Sequence, residues 1–171
     1  CTLSAINWGL INNPSDFEKY CSLSVRALDS LLDYQDYPIK AAEVSTANRR
    51  PLGIGIINFA YFLAKRGLKY DEAAFELVDE YAEAWSYYLI KASADLAKDV
   101  ERMPWESLRE QLRETGIRNS TLMALMPAET SAQISNSTNG IEPPRALVSY
   151  KQSKDGVMAQ VVPGFHHLKN K

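Results

Sequence analysis

The sequence predicts a mixed α/β fold that is rich in helices. Three observations predict it: apolar residues recur every three or four positions over two long segments, short apolar runs broken by glycine or ended by proline lie between and after them, and two extended stretches near the C-terminus flank a turn. With 171 residues, 46% of them hydrophobic, the chain is long enough to bury the core of one domain. A single domain is therefore expected.

The first helix should begin at Asn13-Pro14, because asparagine caps helix N-termini and proline is tolerated in the first helical turn. Its apolar stripe is predicted to consist of Phe17, Cys21, Val25, Leu28, Leu31 and Leu32. The helix should end near Gln35, since the residue before Pro38 is biased away from helical geometry. A loop is predicted from there to about Arg50.

The middle of the chain predicts a buried turn or short strand at residues 52–57, followed by a helix over residues 58–66 with Gly67 as its C-terminal cap. Asp71 is expected to cap a long helix. Its predicted buried face consists of Val78, Tyr81, Trp85, Tyr88, Ala92 and Leu96.

The last third of the chain predicts further short elements. A helix over Trp105, Leu108 and Leu112 should end at Gly116, and residues 120–126 should form a buried strand that Pro127 ends. Residues 130–135 predict a short helix. Residues 146–150 and 157–162 flank Lys154-Asp155-Gly156 and predict a β-hairpin.

Composition narrows the class of protein. Nineteen basic and 21 acidic residues give a net charge of −2, which argues against nucleic acid or an anionic membrane as a partner. No apolar run is long enough to span a membrane and no signal peptide is recognisable, so a cytoplasmic protein is expected. The chain opens on Cys1 without an initiator methionine and looks cut.

The most specific local feature is Pro127-Ala128-Glu129-Thr130-Ser131, which lies between the predicted strand and helix. A helix start leaves backbone N–H groups free, and the helix dipole favours an anion such as phosphate there. The same residues also fit an ordinary Ser/Thr helix cap. A phosphate site requires the Glu129 side chain to turn aside.

The cysteines and histidines give weaker signals. Cys1 could be a redox thiol, a metal ligand or an inert core residue, and its residue pattern alone favours the last. Cys21 lies on an apolar stripe and is expected in the core. His166-His167 lack a nearby carboxylate, so surface histidines are expected.

Other polar and aromatic groups are weaker candidates still. No two of the carboxylates Asp33, Asp36 and Glu142 lie on one predicted helix face with apolar surroundings. Such an arrangement would drive their pKa values apart, as general acid–base catalysis by a carboxylate pair requires, so these residues are weak catalytic candidates. The aromatic residues of the long helix suggest core packing rather than an electron path. Asn48-Arg49-Arg50 is too short for nucleic-acid recognition and is expected to be solvated.

Several motifs, in order along nearly the whole chain, carry a family resemblance. They are Cys1-Thr2-Leu3-Ser4-Ala5, Asp33-Tyr34-Gln35-Asp36-Tyr37-Pro38, Leu52-Gly53-Ile54-Gly55, Arg118-Asn119-Ser120-Thr121-Leu122, Pro127-Ala128-Glu129-Thr130-Ser131-Ala132-Gln133-Ile134-Ser135 and Asn139-Gly140-Ile141-Glu142-Pro143-Pro144-Arg145. They resemble the large, catalytic subunit of class I ribonucleotide reductases.

The resemblance implies that residues 1–171 are the C-terminal part of a ten-stranded α/β barrel, incomplete on its own, in which ribonucleoside diphosphates are reduced by thiyl-radical chemistry. It implies that Pro127, Ala128, Glu129, Thr130 and Ser131 cradle the substrate diphosphate. Ala128 replaces a serine that is common in the family. Because backbone amides do most of the holding, this loss should weaken the site only modestly.

The resemblance also gives Cys1 a role as one of two redox cysteines that close to a disulfide in each turnover. The partner cysteine is absent from this chain. The radical cysteine and the effector sites would lie upstream, in a part of the large subunit that could be a separate chain. No cofactor or metal is expected in this chain. The radical would come from a metal-containing small subunit, and thioredoxin or glutaredoxin would be the external reductant.

Two other interpretations stay open at the level of sequence. One is a non-catalytic assembly module derived from the reductase, and the other is a segment of a cobalamin-dependent reductase. The stretch from Leu96 to Trp105 is shorter than in familiar members of the family. A start at Cys1 suits a split gene, the residue after an excised intein, or a fragment.

Overall fold

The computed structural model describes residues 2–99, 116–154 and 156–168. The chain forms two compact units. The first contains Asn13–Gly55, the start of the first strand and the described part of residues 81–124, and the second contains Ala5–Asn12, Ile56–Glu80 and the described residues from Leu125 onward. The fold is mixed α/β and helix-rich, as the sequence predicts.

Helix α1 (Phe17–Tyr34) follows a 3₁₀ turn at Pro14–Asp16. The Asp16 carboxylate accepts a hydrogen bond from the Asn13 N–H at 3.0 Å, so helical structure starts after Asn13 as predicted, but its first turn is 3₁₀ and the α-helix begins at Phe17. The helix ends one residue before Gln35. Its predicted apolar face is buried except at Leu31, whose side chain is 45% exposed.

Helix α2 (Lys40–Arg49) contradicts the loop predicted up to Arg50. None of its residues is buried, so it has no apolar stripe that periodicity could detect. It ends where Arg50 takes a left-handed conformation (φ 43°) and its N–H bonds to the Thr46 carbonyl at 2.7 Å.

Strand β2 (Leu52–Ile57) is buried along its whole length and pairs with β1 (Thr2–Asn7). The predicted strand at residues 120–126 is wrong in extent and burial. A single parallel bridge joins Met123 to Ile54, and Met123 and Leu125 are 44% and 65% exposed. Isolated apolar letters cannot distinguish a buried strand from an edge segment with one short pairing.

Helix α4 (Phe75–Asp99) follows a 3₁₀ turn at Glu72–Ala74, which Asp71 caps by accepting from the Ala73 N–H at 3.2 Å. Its buried face runs through Tyr81, Trp85, Leu89, Ala92 and Leu96. The sequence predicts that Tyr88 lies on the buried face, but Tyr88 is half-buried and the neighbouring Leu89 is buried instead. The predicted helix over residues 105–112 lies outside the described residues.

The second unit contains α3 (Phe59–Ala64), a 3₁₀ turn at Trp8–Leu10, α5 (Glu129–Ile134) and α6 (Phe165–Leu168). Trp8 packs edge-on against Phe62, with ring centroids 5.3 Å apart. Gly67 follows α3 with φ 73°, and the neighbouring Leu68 N–H bonds to the Leu63 carbonyl at 3.1 Å, so the predicted glycine cap is confirmed.

The predicted hairpin is confirmed as antiparallel strands β3 (Val148–Ser153) and β4 (Gly156–Val161). None of the helices in the described part of the chain combines the length and apolar composition that crossing a membrane requires.

Candidate anion-binding site

Helix α5 is anchored by two alanines one turn apart. Ala128, directly before the helix, and Ala132 are buried against Ile57, with Ala5 packed beside them. Side chains four positions apart share a helix face, so both alanines face the core. Glu129, Thr130 and Ser131 therefore lie on the exposed side of the first turn.

The backbone amides of this turn divide into two groups. The Ala128 N–H donates to Oδ1 of Asn139 at 2.8 Å. The N–H groups of Glu129, Thr130 and Ser131 are at the start of the helix, where no intrahelical acceptor is available. No acceptor for them is found among the described residues. Three adjacent donors without an acceptor among the described residues therefore belong to residues that are themselves exposed.

The Glu129 carboxylate accepts a hydrogen bond from the Lys151 ammonium group at 2.9 Å. This hydrogen bond, and then the charges of Lys151 and Arg145, lower the pKa of Glu129. The acidic side chain is thus ionised at neutral pH and paired with a cation of the hairpin. A phosphate site requires the Glu129 side chain to turn aside, and its partner there is Lys151, which the sequence did not indicate.

The segment that supplies Asn139 is held by a network of polar side chains. The Asn58 N–H bonds to the Thr138 carbonyl at 2.8 Å, and the Thr138 N–H returns a bond to Asn58 Oδ1 at 3.3 Å. The Asn58 amide also donates to Asn7 Oδ1 at 2.9 Å, and the Asn7 amide donates to the Ser137 hydroxyl at 2.9 Å. Asn58 makes these hydrogen bonds from a left-handed backbone conformation (φ 66°). The residues next to Asn139 are therefore fixed by hydrogen bonds to buried side chains.

A cleft of about 370 Å³ lies beside the turn, bounded by α5, residues 142–146 and the hairpin. Its polar lining includes Glu129, Arg145, Lys151 and Gln160. This volume falls in the lower part of the range of small-molecule pockets, about 300 to 1,000 Å³. The cleft is lined by two cationic side chains, Arg145 and Lys151, and by two acidic ones, Glu129 and Glu142; among residues 129–131 only Glu129 lines it.

The prediction that the basic cluster Asn48-Arg49-Arg50 is solvated is wrong for Arg50, which is buried. Its guanidinium donates to Asp29 Oδ1 and to both carboxylate oxygens of Asp33, all at 2.7 Å. Arg118 and Asn119 donate to the same Asp29 carboxylate at 2.9 Å. Asp33, considered above as a weak catalytic candidate, pairs with Arg50 in the first unit.

The other candidates are placed as follows. Cys21 is fully buried, and burial raises the pKa of its thiol to about 12, which fits the predicted core role. His166 and His167 are exposed, as predicted. Cys1 lies outside the described residues, so its proposed redox role stays a prediction.

Within residues 2–99, 116–154 and 156–168, no three His, Cys, Asp or Glu side chains come together in a way that could hold a metal ion.

The site lies in a sequence that matches a known family over its whole length. The family model described as "Ribonucleotide reductase, barrel domain" matches residues 1–104 and 99–171. The chain belongs to this family. The family resemblance of the motifs is therefore confirmed, and so is the prediction of part of an α/β barrel.

Curated relatives agree with this assignment. The chain is 47% identical to the ribonucleoside-diphosphate reductase subunit alpha of Buchnera aphidicola subsp. Schizaphis graminum (strain Sg), over 99% of the chain and 27% of the relative. It is 49% identical to the protein of that name from Haemophilus influenzae Rd, over 98% of the chain and 27% of that relative. For the ribonucleoside-diphosphate reductase 1 subunit alpha of Escherichia coli K12 the identity is 51%, over 80% and 22%. The chain thus spans about a quarter of the length of these relatives.

The alignments also locate a difference in length. Those with the Buchnera and Haemophilus relatives run over 203 and 201 positions, more than the 171 residues of this chain, so both relatives carry residues that it lacks. The two segments that the family model matches meet at residues 99–104. That junction falls inside the stretch that the sequence analysis identifies as short.

Proposed function

We propose that this chain is part of the large subunit of a ribonucleoside-diphosphate reductase and that Pro127, Ala128, Glu129, Thr130 and Ser131 form the turn at which the diphosphate of the substrate binds. The observation that carries the proposal is the exposed first turn of α5, with three neighbouring N–H groups lacking an acceptor among the described residues. The names of the relatives, which are ribonucleoside-diphosphate reductase subunits, support the choice of substrate class.

The chemistry of the turn suits a diphosphate. Amides at a helix start donate to phosphate oxygens, and the partial positive charge of the helix terminus adds to the attraction. The exposed side chains of Thr130 and Ser131 offer hydroxyl donors. Ala128 offers only its backbone, and that N–H is already engaged by Asn139. We therefore assign Ala128 a structural part in the turn and its three successors the contacts to phosphate.

In the proposed reaction, Cys1 and a second thiol outside this chain supply two electrons. The two thiols become a disulfide, the 2′-hydroxyl of the ribose leaves as water, and a hydrogen takes its place. Thioredoxin or glutaredoxin then reduces the disulfide. Because the thiolate is the form that exchanges with disulfides, Cys1 must be accessible and Cys21, with its pKa raised to about 12, is unsuited to the role.

The proposal includes partners that complete the enzyme. These are the upstream part of the large subunit and a small subunit that generates the radical with its own metal. A ribonucleoside diphosphate is the substrate, and neither nucleic acid nor a membrane is needed. We place the assembly in the cytoplasm, where reduced thiols are maintained.

The role of Cys1 is tested by reconstitution. The chain is mixed with the matching upstream part and the small subunit, and reduction of ribonucleoside diphosphates is measured with thioredoxin as reductant. Cys1→Ser should abolish multiple turnover, because the disulfide cannot form. Cys21→Ala, which removes the other thiol, is the matched control and should retain turnover. Full activity of Cys1→Ser would refute the assignment.

The anion turn is tested by Thr130→Pro. Proline removes one exposed N–H and one hydroxyl from the first helical turn, a position where it is compatible with a helix start. The loss of a hydrogen bond to a charged group should raise the substrate dissociation constant about tenfold or more. Ile134→Ala, at the exposed far end of α5, should leave it unchanged. An unchanged affinity in Thr130→Pro would contradict the site.

A further inference from the structure

An acidic side chain in the middle of a diphosphate-binding turn is an electrostatic problem. Glu129 belongs to the exposed first turn of α5, and its pKa is lowered, so it is negatively charged at neutral pH. An unpaired carboxylate several ångströms from a diphosphate opposes its binding, because like charges repel and the water at this exposed position weakens the repulsion without abolishing it. A functional site needs a device that neutralises or diverts this carboxylate.

The hairpin supplies a cation at the required place. Nζ of Lys151 lies 2.9 Å from Oε2 of Glu129. Alternate residues of a strand point to the same side, so Lys151 shares its side with Ser149 and with the latter's cross-strand partner Gln160. Gln160 in turn donates to the Ser137 carbonyl at 3.2 Å. The register of the hairpin therefore fixes where Lys151 can reach.

We propose that Lys151 is a positioning residue of the diphosphate site: it pairs with the Glu129 carboxylate and holds it away from the exposed amides of the turn. The inference rests on the proposed function, since it concerns the same site. It explains how the turn accepts an anion although it contains a glutamate. Lys151 acts through Glu129 and has no required contact with the substrate.

Two other roles for Lys151 give different results when it is replaced. If Lys151 bound a phosphate oxygen itself, Glu129→Gln would lower KM by the same factor whether or not Lys151 is present, whereas a Lys151 that acts through Glu129 lets the substitution have its full effect only in Lys151→Met. If the ion pair were only a surface contact, it would contribute little and its loss would leave substrate affinity unchanged, since both side chains are substantially exposed. A double-mutant cycle separates the three cases.

The experiment uses the reconstituted reductase with Lys151→Met, Glu129→Gln and the double variant, with a ribonucleoside diphosphate as the probe. Lys151→Met should raise KM about fivefold with little change in kcat, because an uncompensated carboxylate weakens ground-state binding. Adding Glu129→Gln should restore KM to within about twofold of the wild-type value, because the glutamine carries no charge. Lys154→Met, which removes an exposed lysine of the same hairpin, is the matched control and should leave KM unchanged.

Ionic strength provides an independent readout. The increase in KM caused by Lys151→Met should shrink as salt is raised from about 0.05 to 0.5 M, because salt screens exposed charges. A packing defect in the hairpin would persist at high salt. A persistent KM defect in the double variant, or no defect in Lys151→Met, would overturn the role of Lys151.

The failure of this inference is distinguishable from failure of the proposed function. Thr130→Pro removes donors of the turn itself and leaves the Lys151–Glu129 pair in place. If Thr130→Pro weakens substrate binding and Lys151→Met does not, the diphosphate site stands and the positioning role falls. If neither variant alters binding, the proposed site is wrong as well.

Discussion

Asp29 is the residue on which the buried charges of the first unit converge. Its carboxylate accepts hydrogen bonds from Arg50, Arg118 and Asn119, and all four residues are buried. Burial alone would raise the pKa of Asp29, but the hydrogen bonds from Arg50 and Arg118 and their charges outweigh it, so the pKa is lowered. The carboxylate is therefore charged throughout the neutral range, and two guanidinium groups depend on it.

This arrangement predicts a large effect of Asp29→Asn on stability. The substitution removes the buried carboxylate that Arg50 and Arg118 share, while Arg50 keeps its pair with the more exposed Asp33, so the free energy of unfolding should fall by about 3 kcal/mol. Urea denaturation at pH 7 measures the change. Asp36→Asn, which removes an exposed carboxylate from the following turn, should alter stability by less than about 0.5 kcal/mol. Equal effects of the two variants would contradict the role of Asp29.

The same carboxylate predicts the sign of a pH dependence. Because its pKa is lower in the folded than in the unfolded chain, Asp29 contributes stability above the unfolded value of about 4, and that contribution is lost as the pH falls below it. The free energy of unfolding of the wild type should therefore drop as the pH falls through about 4 and below. The drop should be smaller in Asp29→Asn. Urea denaturation in that range tests this, and parallel curves would argue against the linkage.

At the scale of elements, the sequence predicted what depends on local pattern. The limits of α1, the glycine after α3 and the hairpin follow from capping residues and periodicity, and the exposed turn at residues 129–131 was predicted from its position before a helix. Helix α2 was missed because it has no buried residue and so no stripe. The edge segment at residues 120–126 was misjudged because its burial depends on neighbours that are distant in sequence.

The supports of the candidate site were missed for the same reason. Asn139 accepts its hydrogen bond from the N–H of Ala128, 11 residues earlier in the chain. Lys151 lies 22 residues from Glu129, and Asn58 lies 80 residues from Thr138. No periodic pattern connects such pairs. A local signal existed only at Asn58, where an asparagine directly before an apolar helical segment is compatible with a left-handed conformation.

The junction between β2 and α3 predicts a graded response to substitution of Asn58. Asn58→Gly keeps the left-handed backbone accessible but removes the bonds to Asn7 and Thr138, which should cost about 2 kcal/mol in the free energy of unfolding. Asn58→Ala loses the same bonds and adds about 1 kcal/mol of backbone strain at φ 66°. Thermal denaturation of both variants measures the difference. A more stable Asn58→Ala would show that the conformation is not strained.

At the scale of the whole molecule, α1 presents apolar side chains on a second side. Tyr20, Leu23, Leu31 and Tyr34 are all exposed, and their spacings of three and eight residues place them along one side of the helix, because eleven residues make about three turns. Single exposed apolar residues are ordinary, whereas several aligned on one side of a helix favour an interaction surface. The chain spans 27% of the length of its Buchnera relative, and the proposed function requires the rest of a large subunit.

Under the proposed function, the upstream part of the large subunit should cover this side of α1. Leu23→Ala with Leu31→Ala should raise the dissociation constant of the complex between the chain and that part by about tenfold or more, because each leucine buried at an interface contributes about 1.5 to 3 kcal/mol. Both leucines are exposed in the chain, so its own free energy of unfolding should change by less than about 0.5 kcal/mol per site. Titration calorimetry measures the first quantity and urea denaturation the second. Leu10→Ala, which removes an exposed leucine from another element, is the control and should not weaken binding. If Leu10→Ala weakens binding as much as the α1 pair does, or if the α1 pair has no effect, this side of α1 is not the interface.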